Sequence, residues 1–104
     1  MSFFLCKLIP PRPTFAEDMT EAEAKVMQEH VAYWTDLANR GIAIAFGPVA
    51  DPKGAWGVGI LEVERESDIQ SISGNDPALK SGIGCKFESY LMPQIVLGKR
   101  DGAT

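Results

Sequence analysis

The chain contains one histidine, His30, and it is the first candidate for chemistry. An unperturbed imidazole has a pKa of roughly 6.5, which suits proton transfer near neutral pH. The alternative interpretation is a core histidine that is hydrogen-bonded to backbone or to a carboxylate, because buried histidines are common. The residue type alone leaves both interpretations open.

Asp51 is the carboxylate that we expect to pair with His30. It follows a predicted strand in Gly47-Pro48-Val49-Ala50-Asp51. A strand that runs antiparallel to the preceding helix returns toward the first half of that helix, where His30 lies, and a carboxylate there would orient the ring and raise its basicity. The alternative is a turn aspartate that caps the amides of Lys53 and Gly54.

Three further residues are candidates for contacts to a substrate. Arg12 lies between two prolines in a stiff loop and could bind a carboxylate in a bidentate manner, although a solvated surface charge is the alternative. Trp34 and Trp56 could line a pocket near His30, although core packing explains such residues equally well. We therefore predict Arg12, Trp34 and Trp56 as substrate-binding residues.

Metal and cofactor chemistry has little support in the sequence. Glu21, Glu23 and Glu29 have a single histidine near them, which is poor support for a metal site. Cys6 and Cys85 lie on different predicted strands and fit neither a zinc cluster nor a redox pair, so we expect reduced core thiols. The dinucleotide, triphosphate and hydrolase motifs are all missing. No metal and no cofactor is predicted.

A long helix must position His30. Thr20-Glu21-Ala22-Glu23 is a capping box, and the helix should end near Arg40 with Gly41 in the left-handed conformation. A periodicity of roughly 100° per residue gives this helix one apolar side. That side comprises Val26, His30, Tyr33, Trp34 and Leu37, with Met27 at its edge.

The remaining elements complete an α+β pattern. Strands are predicted at Phe3–Ile9, Ile42–Phe46, Trp56–Val63 and Cys85–Met92, with a loop from Pro10 to Met19, a helix capped by Ser67-Asp68-Ile69-Gln70, and Asp76-Pro77 as a helix N-cap and first turn. The order strand, helix, strand, strand, helix, strand predicts a ferredoxin-like βαββαβ fold. Its four-stranded antiparallel sheet would carry both helices on one face.

Length and charge limit the organisation and the partners. The 104 residues fit one domain, predicted over 1–96, with a polar tail over 97–104. The net charge of −4 and the scattered basic residues disfavour nucleic acid as a partner. No apolar run approaches the roughly 20 residues of a membrane span, and the N-terminus does not resemble a signal peptide. We expect a cytoplasmic protein that does not bind membranes.

The predicted strands carry apolar residues on both faces of the sheet. Helices can cover only one face, so the other would expose a hydrophobic patch. A second copy that packs sheet against sheet would bury this patch with two-fold symmetry, and we therefore predict a homodimer. Gly57 and Gly59 share one face of the third strand and predict a close approach by a ligand or a neighbouring backbone.

The residues together resemble the YCII-related family of dimeric α/β-barrel proteins. The resemblance spans Phe3–Ile9, Glu29–Trp34, Phe46–Asp51 and the Asn75-Asp76-Pro77 step. It implies a ferredoxin-like fold, dimerisation through the sheets, and an active site in which His30 and Asp51 match the family's His-Asp pair. Related proteins include lyases that act on ring-derived chlorinated hydroxyacids and lactones. The proline-rich loop after the first strand is longer than the family core requires.

Two classes of function, and a third plainer one, are consistent with these residues. The preferred hypothesis is a small enzyme of lyase or isomerase type that uses His30 and Asp51 for proton transfer on a small, carboxylate-bearing molecule. The second is a dimeric small-molecule-binding or accessory protein without catalysis. The third is a structural dimer without a pocket. Whether the chain is an enzyme is left open by the sequence.

Overall fold

The computed structural model describes residues 1–99, in which four strands alternate with helical segments. The elements are β1 (Ser2–Ile9), α1 (Phe15–Asp18), α2 (Glu21–Asn39), β2 (Ala43–Val49), β3 (Trp56–Val63), α3 (Glu66–Asn75), α4 (Pro77–Lys80) and β4 (Lys86–Met92). Positions 100–104 of the predicted tail lie outside the described residues.

The strands form one antiparallel sheet in the order β2-β3-β1-β4, which confirms the ferredoxin-like α+β prediction. In β1, the buried residues Phe4, Cys6 and Leu8 alternate with partly exposed ones, as expected for a strand that packs one face against helices. Residues of α2 and α3, including Leu37 and Ile69, join the same core cluster. The helices therefore cover one face of the sheet.

The start and end of α2 agree with the sequence prediction. The Glu23 backbone N–H donates to Thr20 Oγ1 at 3.1 Å, and the Thr20 N–H donates to the Glu23 carboxylate at 2.9 Å, which is the predicted capping box. Gly41 has φ of 76°, a conformation that other residues rarely adopt. The apolar side of α2 is buried through Trp34 and Leu37.

Two local predictions are corrected by the structure. The segment predicted as a loop up to Met19 contains the short helix α1, whose Phe15 is buried. The helix predicted to be capped by Ser67 begins at Glu66, since Asp68 accepts the backbone N–H of Arg65 at 3.2 Å and Arg65 has extended backbone. No described helix is both long and apolar enough to cross a membrane.

The second face of the sheet carries apolar side chains that none of the helices within residues 1–99 covers. Leu5 lies opposite Ile60 on β3 and Tyr90 on β4, and Leu5 and Ile60 alternate with buried positions of their strands. Leu5 and Ile60 remain partly exposed, and Tyr90 is 52% exposed. We call this surface, formed by Phe3, Leu5, Val58, Ile60, Tyr90 and Met92, the open sheet face.

Candidate active site

A cavity of about 230 Å³ lies between α1, α2 and the sheet, and His30 lines it. Most of its lining is apolar, and five aromatic residues contribute to it: Phe15, Trp34, Phe46, Trp56 and Phe87. Among the described residues that line it, the titratable side chains are His30 and two thiols, Cys6 and Cys85. The cavity can therefore hold a small, largely apolar molecule next to one imidazole.

The carboxylate that pairs with His30 is Asp76. His30 Nδ1 lies 2.8 Å and 3.0 Å from the two Asp76 oxygens. The same carboxylate accepts the indole N–H of Trp34 at 2.8 Å and the backbone N–H of Ala78 at 2.9 Å. Asp76 is only 1% exposed, so these donors replace the water that its charge loses on burial.

The hydrogen bonds to Asp76 define the tautomer of His30. A carboxylate offers only acceptors, so the proton on the imidazole must sit on Nδ1. In the neutral form of the imidazole, Nε2 then carries a lone pair, and among the described residues it has no hydrogen-bond partner. Since the His30 side chain is 13% exposed and lines the cavity, Nε2 is the atom that can exchange a proton with a bound molecule.

Local sequence places the members of this cluster. His30 and Trp34 are four residues apart on α2, so their side chains leave the same side of the helix. Asp76 has extended backbone at the junction of α3 and α4, and Pro77 occupies the first turn of α4. The predicted N-cap role of Asp76 is confirmed. Its second role, as the partner of His30, was missed because capping already explained the residue.

The structure corrects the predicted pairing of His30 with Asp51. Asp51 accepts the backbone N–H of Lys53 at 2.9 Å and the indole N–H of Trp56 at 3.1 Å, and these bonds lower the pKa of its carboxyl. Asp51 makes no hydrogen bond to His30 and does not line the described cavity. The physical reason is local, because the carboxylate caps the turn that begins at its own residue.

The two tryptophans both border the cavity but have different partners. Trp34 is 4% exposed and is fixed by Asp76. Trp56 is fixed by Asp51, and the Lys7 ammonium lies 4.6 Å from the centre of its ring. Whether either ring contacts a substrate stays a prediction.

Arg12 is bound to two carboxylates instead of facing the cavity. Its Nε donates to Asp18 at 2.8 Å, and its terminal nitrogens donate to Glu23 at 3.0 and 2.8 Å. These bonds use the guanidinium and Arg12 does not line the cavity, so the structure gives Arg12 a structural contact, and its predicted contact to a substrate stays a prediction. The contact holds α1 against the first turn of α2, which keeps Phe15 over the cavity.

The Arg12 contact predicts a specific acid dependence of stability. Hydrogen bonds from Arg12 and from the Thr20 backbone lower the pKa of Glu23 from 4.5 to about 2. A depressed pKa stabilises the fold above the unfolded-state value and ceases to do so as pH falls through the folded-state value. In urea titrations, the free energy of unfolding of wild type should therefore exceed that of Glu23→Gln above pH 4.5. This difference should disappear as pH falls from 4.5 to about 2. Glu29→Gln, at an exposed position of α2, is the control. If the difference in unfolding free energy from wild type changed with pH equally for Glu23→Gln and Glu29→Gln, the prediction would be contradicted.

The thiols that border the cavity are poor nucleophiles at neutral pH. Burial raises the pKa of Cys6 to about 12. Burial, followed by the negative charges of Asp76 and Glu23, raises the pKa of Cys85 to about 11. Both cysteines are free, in agreement with the predicted reduced thiols. Within residues 1–99 no group of three or more His, Cys, Asp or Glu side chains is arranged to hold a metal ion.

Comparisons with known proteins agree with this fold. The family model described as YCII-related domain matches residues 3–92. A solved structure of 5-chloro-2-hydroxyhydroquinone dehydrochlorinase from Burkholderia phenoliruptrix AC1100, in complex with 2,5-dihydroxybenzoquinone, is similar with a TM-score of 0.55 and 19% sequence identity. The similarity covers 82% of this chain and 90% of that one. A search of curated proteins finds no match.

Proposed function

The chain belongs to the YCII-related domain family, and from this premise we propose that it is a small enzyme that transfers a proton on a molecule bound in the cavity. His30 Nε2 is the base, and Asp76 is the carboxylate that orients the ring. The reaction is of lyase or isomerase type. The observation that carries the proposal is the buried contact of 2.8 Å between His30 Nδ1 and Asp76, beside a cavity that His30 lines.

The chemistry follows from the hydrogen bonds of the cluster. When Nε2 takes a proton from the substrate, the imidazole becomes a cation, and the Asp76 carboxylate next to it stabilises that charge. Trp34 and Ala78 hold the carboxylate in place during this change. The electron pair left on the substrate either expels a leaving group, as in a lyase, or takes the proton back at another atom, as in an isomerase.

The similar dehydrochlorinase supports chemistry of this kind. Loss of hydrogen chloride needs a base for the proton and a route for the chloride to leave. In this chain the neutral form of the His30 imidazole would supply the base, and the open side of the cavity would supply the route. Because the two chains share only 19% identity, 5-chloro-2-hydroxyhydroquinone is a first compound to test here and not an assigned substrate.

We expect His30→Gln to lower turnover by about 100-fold or more, because general-base catalysis contributes 10²–10⁴-fold. Chloride release from 5-chloro-2-hydroxyhydroquinone measures elimination, and deuterium uptake by a panel of small carbonyl and hydroxylated ring compounds measures proton transfer. Glu29→Gln on the exposed side of α2 is the control. A His30→Gln variant with undiminished turnover would refute the base assignment, and wild type that binds these compounds without exchange would favour a binding protein.

We propose in addition that the protein forms a homodimer through the open sheet face. Its apolar surface, with Tyr90 52% exposed, favours burial against a second copy. Light scattering should give twice the chain mass of 11.3 kDa for wild type and a single chain mass for Ile60→Glu. Val96→Glu, at a position that is 95% exposed, should stay dimeric. A monomeric wild type at micromolar concentration would refute the proposal.

A further inference from the structure

The size of the cavity suits a ligand of one ring with small substituents. An apolar cavity of about 150 Å³ is known to bind benzene, and this one measures about 230 Å³. Aromatic side chains from α1, α2, β2 and β4 border it, among them Phe15, Trp34, Phe46 and Phe87. Flat apolar surfaces of this kind suit a planar ligand.

The charges around the cavity are unfavourable for an anion. No lysine or arginine is among its described lining residues. Arg12 on the neighbouring loop is bound to Asp18 and Glu23, and Lys7 stacks over the Trp56 ring. Burial, followed by the negative charges of Asp76 and Glu23, raises the pKa of the Cys85 thiol, so the charged side chains that act on this part of the cavity are carboxylates. A carboxylate entering the cavity would lose water and meet no lysine or arginine among the described lining residues.

From these observations we infer that the site, in the function proposed above, selects an uncharged ring compound with one weakly acidic O–H, N–H or C–H group and discriminates against carboxylates. This reverses the carboxylate-bearing substrate that the sequence predicts. The acidic group donates to His30 Nε2, the basic side-chain nitrogen among the described lining residues.

The proton balance explains why the site should bind an uncharged acid more tightly than a ligand that is already an anion. Consider a neutral ligand that meets the neutral form of the His30 imidazole beside an ionised Asp76. When the ligand gives its proton to Nε2, the resulting anion lies next to an imidazolium that is itself paired with Asp76. The total charge of ligand, His30 and Asp76 is unchanged by the transfer, whereas a carboxylate adds a second negative charge to the cluster unless His30 takes up a proton from water.

Three non-reacting probes of similar size test the selectivity. Phenol, benzamide and benzoate are titrated near neutral pH, where only benzoate is charged, and binding is followed by calorimetry and by the His30 ring resonances. We expect benzamide and phenol to bind at least about tenfold more tightly than benzoate. Benzoate binding that equals or exceeds that of benzamide overturns the inference, as does the absence of binding by all three probes.

A charge introduced at the cavity should change this preference. Met19 lines the cavity and is 37% exposed, so Met19→Lys can be accommodated without burying the ammonium. It should narrow or reverse the preference for benzamide over benzoate, whereas Gln28→Lys, on the exposed side of α2, should leave it unchanged. An unchanged preference in Met19→Lys overturns the electrostatic explanation. Because the probes do not react, this outcome is independent of whether His30→Gln affects turnover.

Discussion

Asp76→Asn is expected to destabilise the protein by about 3 kcal/mol, because one buried amide cannot replace a carboxylate that accepts three N–H groups. The amide keeps one acceptor oxygen and turns an N–H₂ group toward other donors, so at least one buried donor loses its partner. The His30 ring also loses the charge that stabilises its cationic form. Turnover should therefore fall together with stability, and urea unfolding at neutral pH measures the latter.

Asp51→Asn is a closely matched control for this experiment. Asp51 and Asp76 each accept one tryptophan indole N–H and one backbone N–H from the residue two positions later. Asp76 is buried, whereas water can reach Asp51 and replace a lost partner. Asp51→Asn should change the unfolding midpoint much less than Asp76→Asn does. Equal changes in the unfolding midpoint for the two substitutions would show that the burial of Asp76 does not account for the loss of stability.

Gly59→Ala is expected to disturb the same site from the opposite side, through Trp34. A Cβ at Gly59 would lie 2.5 Å from Cζ3 and 2.7 Å from Cη2 of Trp34, so the indole must move. Overpacking of this kind costs about 1–3 kcal/mol, and the shift should weaken the bond from Trp34 Nε1 to Asp76. Urea unfolding gives the stability change. Trp34 emission in a Trp56→Phe background reports the changed surroundings of the ring.

Gly57→Ala is the matched control, two residues earlier on the same strand and the same face. There a Cβ would meet Leu8 Cβ at 3.5 Å, which is ordinary van der Waals contact. It should leave the Trp34 emission unchanged and alter stability little. If the two alanine variants behave alike, the close approach of Trp34 to Gly59 is not what positions the indole.

The predicted close approach at these glycines illustrates how far sequence patterns reach. Two glycines at alternating positions indicated that something packs tightly on one face of β3. They could not identify it as the Trp34 ring at Gly59, because α2 and β3 are separate elements whose spatial approach is set only when the helix packs on the sheet. Similarly, Pro11 and Pro13 indicated a stiff loop around Arg12, but the carboxylates that bind Arg12 are brought there by α1 and α2.

The sequence by itself determined the order of the four strands and the two longer helices, the boundaries of α2 and the burial of its apolar side with His30. These are local properties, since capping boxes, left-handed glycines and apolar periodicity act within a few residues. The choice of the carboxylate that pairs with His30 was made by the tertiary structure alone. Asp51 and Asp76 both follow a regular element and both accept a nearby backbone N–H. Only the packing of α4 against α2 brings Asp76 to 2.8 Å from the imidazole, across 46 positions of sequence.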